Sequence, residues 1–216
     1  MTKFCIKGIS GTFSLTPKGK FNVYNALAAI GTAKTLGIPM EKIKKAVENL
    51  SGVDGRIQEV KNNLGLSVFV DYAHTPDSLI NIISAVREFT HGRVITIVGC
   101  GGDRDNLKRP IMGRIAGEMS DFTILTSDNP RTENPFDILT QIEVGIKETG
   151  KEYVSIENRK DAIFEGVRIL KPGDSLIIAG KGHEDYQIIG TKTIHFSDYE
   201  TALEAIENAA CNKSDS

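Results

Sequence analysis

Apolar and polar positions alternate in blocks along residues 54–216, with short apolar runs separated by stretches of helical spacing. The helical stretches lie at about 77–89, 110–119, 135–149 and 160–170. Apolar runs without strict alternation are typical of strands buried on both faces of a parallel sheet, and strand–helix repeats of this length favour right-handed crossovers. The pattern therefore predicts an α/β domain with a doubly wound, mainly parallel sheet. Its predicted strands are 66–72, 93–99, 121–126, 152–157 and 174–180.

The end of the chain carries two weaker patterns. Residues 187–196 have the character of a hairpin, and residues 198–210 have the spacing of a last helix. The final six residues, "CNKSDS", are mostly polar, so we expect a frayed tail.

Residues 1–53 are organised differently. A short β-like opening precedes two stretches with apolar residues at helical spacing, 22–36 and 40–50, which "GIP" separates. Two helices and a few short strands are thin for an independent core, so we predict that this segment is the end of a domain whose main part is missing. The stretch "GTAKT" at 31–35 superficially looks like a phosphate loop, but it lies inside a helical pattern, so we predict plain helix.

Composition argues against several classes of protein. The chain has 216 residues, 40% of them hydrophobic, a net charge of −2 and a pI of about 6.1, whereas a nucleic-acid-binding protein would usually show a basic face. Cys5, Cys100 and Cys211 are scattered and form no CxxC motif, which indicates reduced thiols and a cytoplasmic location. No apolar run reaches membrane-spanning length, and the start "MTKFCIKGIS" does not look like a signal peptide. We therefore expect neither a nucleic acid nor a membrane as partner, and we expect a monomer.

Chemically rich sequences follow the predicted strands. They read "DYAHTPD", "GCGGDRDN", "SDNPRTEN", "ENRKD" and "GKGHEDY", whereas the turns at the opposite edge read "THGR", "EMSD", "TGKE" and "KPGD". Ligands of an open parallel sheet bind beyond the carboxyl ends of its strands. This asymmetry predicts a ligand site at that edge.

The first of these stretches combines a helix start with two polar residues at the strand end. Thr75 is a predicted N-cap, with Pro76 and Asp77 in the first turn of the helix. Capping does not explain Asp71 and His74, for which a functional and a structural role are both open.

The stretch "GCGGDRDNLKRP" combines glycines with cations. Gly99, Gly101 and Gly102 would allow positive φ and the close approach of a ligand. The stretch is not a dinucleotide-binding fingerprint, because the G-x-G-x-x-G spacing fails and the next helix is predicted to start only at Pro110. A solvated loop is one interpretation, and anion recognition by three cations beside a helix start is the other. The three cations are Arg104, Lys108 and Arg109.

The stretch "SDNPRTENP" forms a stiff, polar corner. Pro130 fixes one φ and biases Asn129 towards an extended shape, while a capping role explains only Asn134. A ligand with a carboxylate and an ammonium would suit this corner. Arg131 can grip a carboxylate bidentately, and Asp128 can face an ammonium.

The stretch "AGKGHEDYQ" matches no phosphate-binding motif. No Ser or Thr follows Lys181, and the spacing of a Walker A loop fails. His183 and Glu184 could bind a metal only together with further ligands. A metal-dependent hydrolase that uses these two residues and His74 is an alternative hypothesis for the protein.

Taken together, these stretches resemble a known family. "GKFNVYNALAAI", "VFVDYAHTPDSL", "VGCGGDRDNLKRPIMGRIA", "TSDNPRTENP" and "IAGKGHEDYQI" occur in this order, within a resemblance that spans residues 8 to about 205. They are similar to the later part of the Mur ligases, and within that family to the UDP-N-acetylmuramoyl-tripeptide synthetases of the diaminopimelate-adding type. The resemblance implies a Rossmann-like C-terminal, amino-acid-binding domain at 54–216. It implies that residues 1–53 are the end of the central, ATP-binding domain.

The resemblance also implies a reaction and the residues that serve it. In this family, ATP phosphorylates the side-chain carboxylate of D-glutamate in UDP-MurNAc-L-Ala-D-Glu, and the amine of a diamino acid attacks the acyl phosphate to form an amide. A D-N-P-R box is implied to recognise meso-diaminopimelate. The implied diaminopimelate site comprises Arg104, Asp128, Asn129, Pro130, Arg131, Gly180 and Glu184, and the implied nucleotide contacts are Asn22, Asn25, Arg56, Asp71, Tyr72 and His74.

One departure from the family pattern matters for activity. The family's UDP-binding domain, its G-T-x-G-K-T phosphate loop and its magnesium-binding residues have no counterpart in this sequence. ATP and Mg²⁺ would therefore be held mostly by a missing part, and the start at Met1 suggests a truncation, an internal start or an incomplete gene. We predict that the chain alone catalyses no ligation, and we assign it no catalytic or metal-binding residue. The alternative is a stand-alone module that binds an amino acid or a nucleotide without chemistry.

Overall fold

A computed structural model describes residues 2–17 and 19–214 of the chain, with side chains as far as Cys211. Internal contacts divide the chain into two compact units, Met1–Val53 and Asp54–Ser216. The division falls where the pattern of apolar positions changes along the sequence.

The first unit consists of a hairpin and two helices. Strands β1 (Thr2–Cys5) and β2 (Thr12–Leu15) pair antiparallel, and helices α1 (Lys20–Thr35) and α2 (Met40–Glu48) follow. The structure confirms the β-like opening and both predicted helices, and it places "GTAKT" within α1. The small core consists of Phe13, Leu15, Ala26, Ile30, Ile43 and Val47.

A mixed sheet forms the centre of the second unit. Its strands are β3 (Gln58–Glu59), β4 (Ser67–Asp71), β5 (Val94–Val98), β6 (Phe122–Leu125), β7 (Tyr153–Ser155) and β8 (Ser175–Ala179). Within the described residues, their order is β3-β4-β8-β5-β6-β7, and all neighbours run parallel except β3, which is antiparallel to β4. Strands β4 to β8 correspond to the predicted apolar runs, so the predicted α/β fold with a mainly parallel sheet is confirmed.

Helices cover both faces of this sheet. They are α3 (Pro76–Arg87), α4 (Lys108–Met119), α5 (Pro135–Lys147), α6 (Arg159–Arg168) and α7 (Asp198–Ser214). Helix α4 packs against α3 and α5, and α6 packs against α7. Alternate strand residues such as Val70, Ile97 and Ile178 join the core beneath α6 and α7, while their neighbours in each strand face the other helix layer. Burial on both sides explains why the central strands β4, β5 and β8 are nearly continuously apolar.

Two predicted helix bounds were wrong. Helix α4 begins at Lys108 rather than at Pro110. A proline is tolerated in the first turn, because the amides there have no acceptor within the helix. Helix α7 continues to Ser214 rather than ending at residue 210, since the sequence offers no glycine or proline that would stop it. The predicted frayed tail is therefore helical up to that residue, and residues 215–216 lie outside the described residues. The predicted hairpin is confirmed as β9 (Tyr186–Ile189) paired with β10 (Lys192–His195).

Candidate functional site

A pocket of about 510 Å³ lies at the carboxyl ends of β4, β5, β6 and β8. The segments that follow these strands form its walls, together with the first residue of β9. The pocket thus opens at the edge of the sheet where the sequence predicted a ligand site. Its lining consists of Tyr72, His74, Thr75, Gly101, Arg104, Asp105, Lys108, Asp128, Asn129, Arg131, Gly180, Glu184 and Tyr186.

Most of the residues predicted to hold the diamino acid meet in this pocket. They come from three separate loops, so only the fold brings them together. Pro130 belongs to the same predicted set but is buried behind the wall, with its carbonyl against Gly102. The predicted residues that line the pocket are Arg104, Asp128, Asn129, Arg131, Gly180 and Glu184.

Tyr72 and His74, predicted as nucleotide contacts, form an aromatic wall of the same pocket. Their rings meet edge to face with centroids 4.6 Å apart. The His74 Nδ1 donates to the Tyr72 carbonyl at 2.8 Å, and the Lys108 Nζ donates to the His74 carbonyl at 2.7 Å. The Arg56 guanidinium, also a predicted nucleotide contact, lies 5.5 Å from the Tyr72 ring centroid. These contacts fix the orientation of the wall without any ligand.

The other predicted nucleotide contacts lie outside the pocket lining. Asp71 is buried, and its Oδ2 accepts a hydrogen bond from the Ile57 amide at 2.7 Å, which gives this carboxylate a structural role. Burial raises the pKa of Asp71, and the Ile57 amide partly offsets that rise. Asn22 and Asn25 lie on α1 in the first unit, where Asn25 is exposed.

Both predicted helix caps are confirmed. The Thr75 side chain accepts from the Ser78 amide at 3.3 Å, and Pro76 follows as the first helical residue. The Asn134 side chain accepts from the Phe136 amide at 3.0 Å in the same way. Capping therefore explains Thr75 and Asn134, as predicted. It does not explain why Asp128 and Arg131 stand at the end of β6.

Strand β9 holds the D-N-P-R segment in place. The Gln187 Nε2 donates to the Asp128 carbonyl at 2.7 Å, and the Asn129 Oδ1 accepts from the Ile188 amide at 2.9 Å. The Arg131 amide donates to the Ile188 carbonyl at 3.1 Å. The stiffness of this corner, which the sequence attributed to its proline, thus comes largely from tertiary hydrogen bonds.

Arg131 has a left-handed backbone, with φ at 51°. This conformation is disfavoured for a residue with a Cβ, so the surrounding hydrogen bonds must hold it. The Arg131 Nη1 donates to the Gly102 carbonyl at 2.8 Å, and the half-exposed side chain lines the pocket. A bidentate grip on a ligand carboxylate stays a prediction.

Lys181 is a site residue that the sequence interpretation missed. It is fully buried, and its Nζ lies 3.1 Å from the Asn129 Oδ1. The same Nζ lies 3.4 Å from the Asp128 Oδ1 and 3.4 Å from the Glu184 Oε2. Asp128, which we expected to face the ammonium of a ligand, therefore already faces the ammonium of Lys181. A lysine directly after a strand end, between two glycines, was the signal that could have indicated it.

The glycines of the β5 loop have a different purpose from the predicted one. None of Gly99, Gly101 and Gly102 has a left-handed φ, so that expectation was wrong. A Cβ on Gly102 would lie 1.9 Å from the Pro130 carbonyl oxygen, and one on Gly99 would lie 2.3 Å from the Thr126 carbonyl oxygen. At Gly99 and Gly102 the close approach is therefore made by the neighbouring loop, whereas Gly101 lines the pocket, where the approach of a ligand stays a prediction.

The predicted group of three cations divides in the structure. Arg104 and Lys108 line the pocket, whereas Arg109 is completely buried. Arg109 donates to both carboxylate oxygens of Glu133, at 2.8 and 2.9 Å, and to the Gly101 carbonyl at 3.1 Å. This hydrogen-bonded pair lowers the pKa of Glu133 to about 2. Anion recognition by all three cations is thus wrong, because Arg109 ties two loops together instead.

Features of some other protein classes are missing from residues 2–17 and 19–214. No group of three or more His, Cys, Asp or Glu side chains in this part could hold a metal ion, so His74, His183 and Glu184 form no such set. The cysteines in the same part form no disulfide. No helix there is long and apolar enough to cross a membrane.

Comparisons with known proteins identify relatives of most of the chain. The family model described as "Mur ligase, glutamate ligase domain" matches residues 55–182. A UDP-N-acetylmuramoyl-L-alanyl-D-glutamate–2,6-diaminopimelate ligase of Clostridium botulinum is 51% identical over 198 residues, which are 91% of this chain and 41% of the relative. The enzyme of the same name from Clostridium tetani is 49% identical over 203 residues, 93% of this chain and 41% of the relative. The chain thus spans well under half the length of these relatives.

Solved structures share the fold. A UDP-N-acetylmuramoyl-L-alanyl-D-glutamate–2,6-diaminopimelate ligase matches with a TM-score of 0.73 and 36% identity, over 94% of this chain and 42% of the other. The UDP-N-acetylmuramate–alanine ligase MurC of Thermotoga maritima matches with a TM-score of 0.66 and 20% identity, over 94% of this chain and 41% of the other, a likeness of fold alone. The family model covers more than half of the chain, and the chain therefore belongs to the Mur ligase family.

Proposed function

We propose that this chain provides the diamino-acid pocket of a ligase that joins meso-diaminopimelate to UDP-MurNAc-L-Ala-D-Glu. The observation that supports this most strongly is the pocket at the strand ends, which brings together the guanidinium groups of Arg104 and Arg131 and the carboxylates of Asp128 and Glu184. meso-Diaminopimelate has two carboxylates and two amino groups, so its charges complement a pocket with groups of both signs. The curated relatives described above are named as ligases of this diamino acid.

Arg131 is proposed to bind the carboxylate that distinguishes diaminopimelate from lysine. One arm of its guanidinium is anchored on the Gly102 carbonyl, which fixes the direction of the planar fork. Arg104 is exposed on the adjoining loop and is proposed to bind the same end of the ligand. Glu184 lines the pocket and is proposed to bind an ammonium. Gly180 is proposed to let the ligand approach the backbone.

The remaining members of the predicted sets are proposed to act more indirectly. The Asn129 side chain is already hydrogen-bonded to Ile188, so it is proposed to shape the pocket together with Pro130. Asn22 and Asn25 are proposed to contact the adenine side of ATP. The residues proposed to close on the nucleotide are Arg56, Asp71, Tyr72 and His74.

The proposed reaction is an amide-bond formation through an acyl phosphate. ATP transfers its terminal phosphoryl group to the side-chain carboxylate of D-glutamate, which gives ADP and an acyl phosphate. The free amine of the diamino acid then attacks the carbonyl carbon, loses a proton and displaces phosphate. The pocket contributes orientation, because a nucleophile held in one position reacts as if it were present at high concentration. The described residues contain no group of three or more side chains that could hold a metal ion, and we propose that the magnesium site lies in the part of the enzyme outside this chain.

The remainder of the enzyme is proposed to lie outside this chain, which spans 41% of the Clostridium botulinum relative. We propose that residues 1–53 are the end of the central, ATP-binding domain and that the whole protein acts as a monomer in cytoplasmic peptidoglycan synthesis. The isolated chain is then expected to bind the diamino acid without ligating it. Formation of the tripeptide product by the isolated chain, from ATP and both substrates, would overturn this part of the proposal.

An amide NMR titration of the isotope-labelled chain tests the pocket directly. meso-Diaminopimelate should shift the amide signals of Asp128, Arg131 and Gly180 at lower concentration than L-lysine does, because lysine lacks the second carboxylate. Weak binding is still measurable, since shifts report millimolar affinities as well as tight ones. Equal affinity for both ligands, or shifts confined to residues remote from the pocket, would contradict the proposal.

A further inference from the structure

Lys181 is buried in the wall of the pocket, and the function proposed above gives it no role. Its side chain has no exposed surface, and it does not line the pocket itself. Its Nζ nevertheless lies 3.4 Å from carboxylate oxygens of both Asp128 and Glu184, which do line it. A buried ammonium is costly unless it is paired, so this position needs an explanation beyond packing.

The contacts of Lys181 form one connected network. The Asn129 Oδ1 accepts from the Lys181 Nζ at 3.1 Å, and the Asn129 Nδ2 donates to the Glu184 Oε2 at 3.1 Å. The Glu184 carboxylate is therefore held by two donors that are themselves in contact. The Tyr186 ring centroid lies 5.5 Å from the same ammonium. Such a network holds the Glu184 side chain in one orientation, whereas a solvated side chain would adopt several.

The charges of Asp128, Glu184 and Lys181 do not cancel. Two carboxylates share one ammonium, so this group of three side chains has a net charge of −1 beside the pocket. The buried Arg159 also interacts electrostatically with Asp128 and Glu184, but its own charge is matched by the buried Asp198. A single unbalanced negative charge suits a ligand that presents one ammonium to this wall. Two unbalanced carboxylates would instead repel each other.

We propose that Lys181 is a positioning residue for the diamino acid, which acts by holding Glu184 in its orientation towards the pocket and by balancing one of the two carboxylates. The proposal rests on the function proposed above, since it takes the pocket to be the diamino-acid site. It predicts that loss of the ammonium weakens binding although Lys181 does not touch the ligand. The effect must then depend on the presence of Glu184.

A double-mutant cycle on the labelled chain, followed by the amide NMR titration with meso-diaminopimelate, tests this dependence. The variants are Lys181→Met, Glu184→Gln and both together. The matched control is Lys171→Met, which removes an exposed lysine at the opposite edge of the sheet. We expect Lys171→Met to bind like the wild type and Lys181→Met to bind about tenfold more weakly, as for the loss of a charged hydrogen-bond partner.

The double variant separates positioning from an independent effect. If Lys181 acts through Glu184, adding Lys181→Met to Glu184→Gln should change the dissociation constant by no more than about threefold, since coupled sites are not additive. Independent, multiplying effects would overturn the proposal. So would wild-type affinity in Lys181→Met. The amide spectrum shows whether each variant is folded. If Lys181→Met is not, Lys181→Gln takes its place in the cycle: it removes the same charge from the pocket wall, and the predicted loss of affinity and its dependence on Glu184 stay the criteria.

The wild-type titration distinguishes a wrong role for Lys181 from a wrong function for the pocket. If the wild-type chain binds meso-diaminopimelate and Lys181→Met does so equally well, only the positioning role is wrong. If the wild-type chain does not bind it, the proposed function is wrong, and the role of Lys181 is overturned with it.

Discussion

Arg159 and Asp198 form a completely buried ion pair next to the pocket. The Arg159 Nε and Nη2 donate to the two carboxylate oxygens of Asp198, each at 2.7 Å, and neither side chain is exposed. Arg159 also donates to the carbonyl of Ser127 at 3.3 Å and to the carbonyl of Ala179 at 3.0 Å. Each of these carbonyls directly precedes a residue of the pocket lining, so the pair ties together the ends of two strands on which the site is built.

Asp198→Asn should destabilise the protein strongly, because it leaves a buried guanidinium without its counter-charge. Removing one partner of a buried ion pair costs about 3–5 kcal/mol. Urea unfolding followed by circular dichroism measures this loss as a change in the free energy of unfolding.

A surface ion pair between the same two helices gives the matched control. Lys160 and Glu204 join α6 to α7 with side chains that are 48% and 51% exposed. Glu204→Gln should therefore cost about 1 kcal/mol or less, as is typical of exposed pairs. Equal losses in the two variants would contradict the special role of the buried pair.

Gly102→Ala should destabilise the protein more than Gly101→Ala, although the two glycines are neighbours. A Cβ on Gly102 would lie 1.9 Å from the Pro130 carbonyl oxygen, which is backbone, whereas one on Gly101 would first meet the tip of the Arg131 side chain at 3.0 Å. A flexible side chain can move, but a backbone held by β9 cannot. We expect Gly102→Ala to cost about 1–3 kcal/mol, as for overpacking.

Thermal unfolding of the two alanine variants checks this difference. Gly101→Ala should unfold within a few degrees of the wild type, and Gly102→Ala should unfold clearly earlier. If both unfold together, the loop after β5 can shift away from the D-N-P-R segment, and the close approach at Gly102 is not what stabilises it.

The fold and the position of the site could be predicted from the sequence, because both follow from local patterns. The runs 93–99 and 174–180 are nearly continuously apolar, as expected of strands that are buried on both faces of a sheet. Asp128 and Arg131 directly follow such a strand, and the carboxyl ends of parallel strands share one edge. Their meeting with Glu184 in one pocket therefore followed from topology alone.

The partners of the buried charges could not be predicted in this way. Lys108 and Arg109 are adjacent cations, yet one lines the pocket and the other is completely buried against Glu133. Arg159 pairs with Asp198, which lies on a different helix. From residue type and spacing alone, such cations are expected to be solvated. Only the tertiary contacts show which acid is paired with which base.

The stabilisation that Glu133 provides should depend on pH. Its pKa is lowered from an ordinary value of 4.5 to about 2, chiefly by its hydrogen bonds from Arg109. A carboxyl with a lowered pKa in the folded state stabilises that state fully above about 4.5 and loses the contribution as the pH falls towards 2. Glu133→Gln should thus be less stable than the wild type at pH 7, and the difference should narrow at acidic pH.

Urea unfolding of the wild type and of Glu133→Gln at a series of pH values measures this narrowing. Other titrating groups are common to both proteins, so the difference between their free energies of unfolding isolates Glu133. A difference that stays constant from pH 7 down to the acid limit of folding would show that the Arg109–Glu133 pair does not depend on the charge of the carboxylate.

Arg131→Lys should impair the binding of the diamino acid selectively, because an ammonium cannot replace the planar, two-armed contact of a guanidinium with a carboxylate. Loss of a desolvated charge pair costs about 2–5 kcal/mol. In the longer ligase proposed above, this loss should appear as a raised KM for meso-diaminopimelate with the KM for ATP unchanged. Arg168→Lys is the matched control, since Arg168 lies on α6 with a side chain that is 70% exposed. If Arg131→Lys left the KM for meso-diaminopimelate unaltered, Arg131 would not be part of the ligand contact, and its left-handed backbone would serve only the packing of the loop against β9.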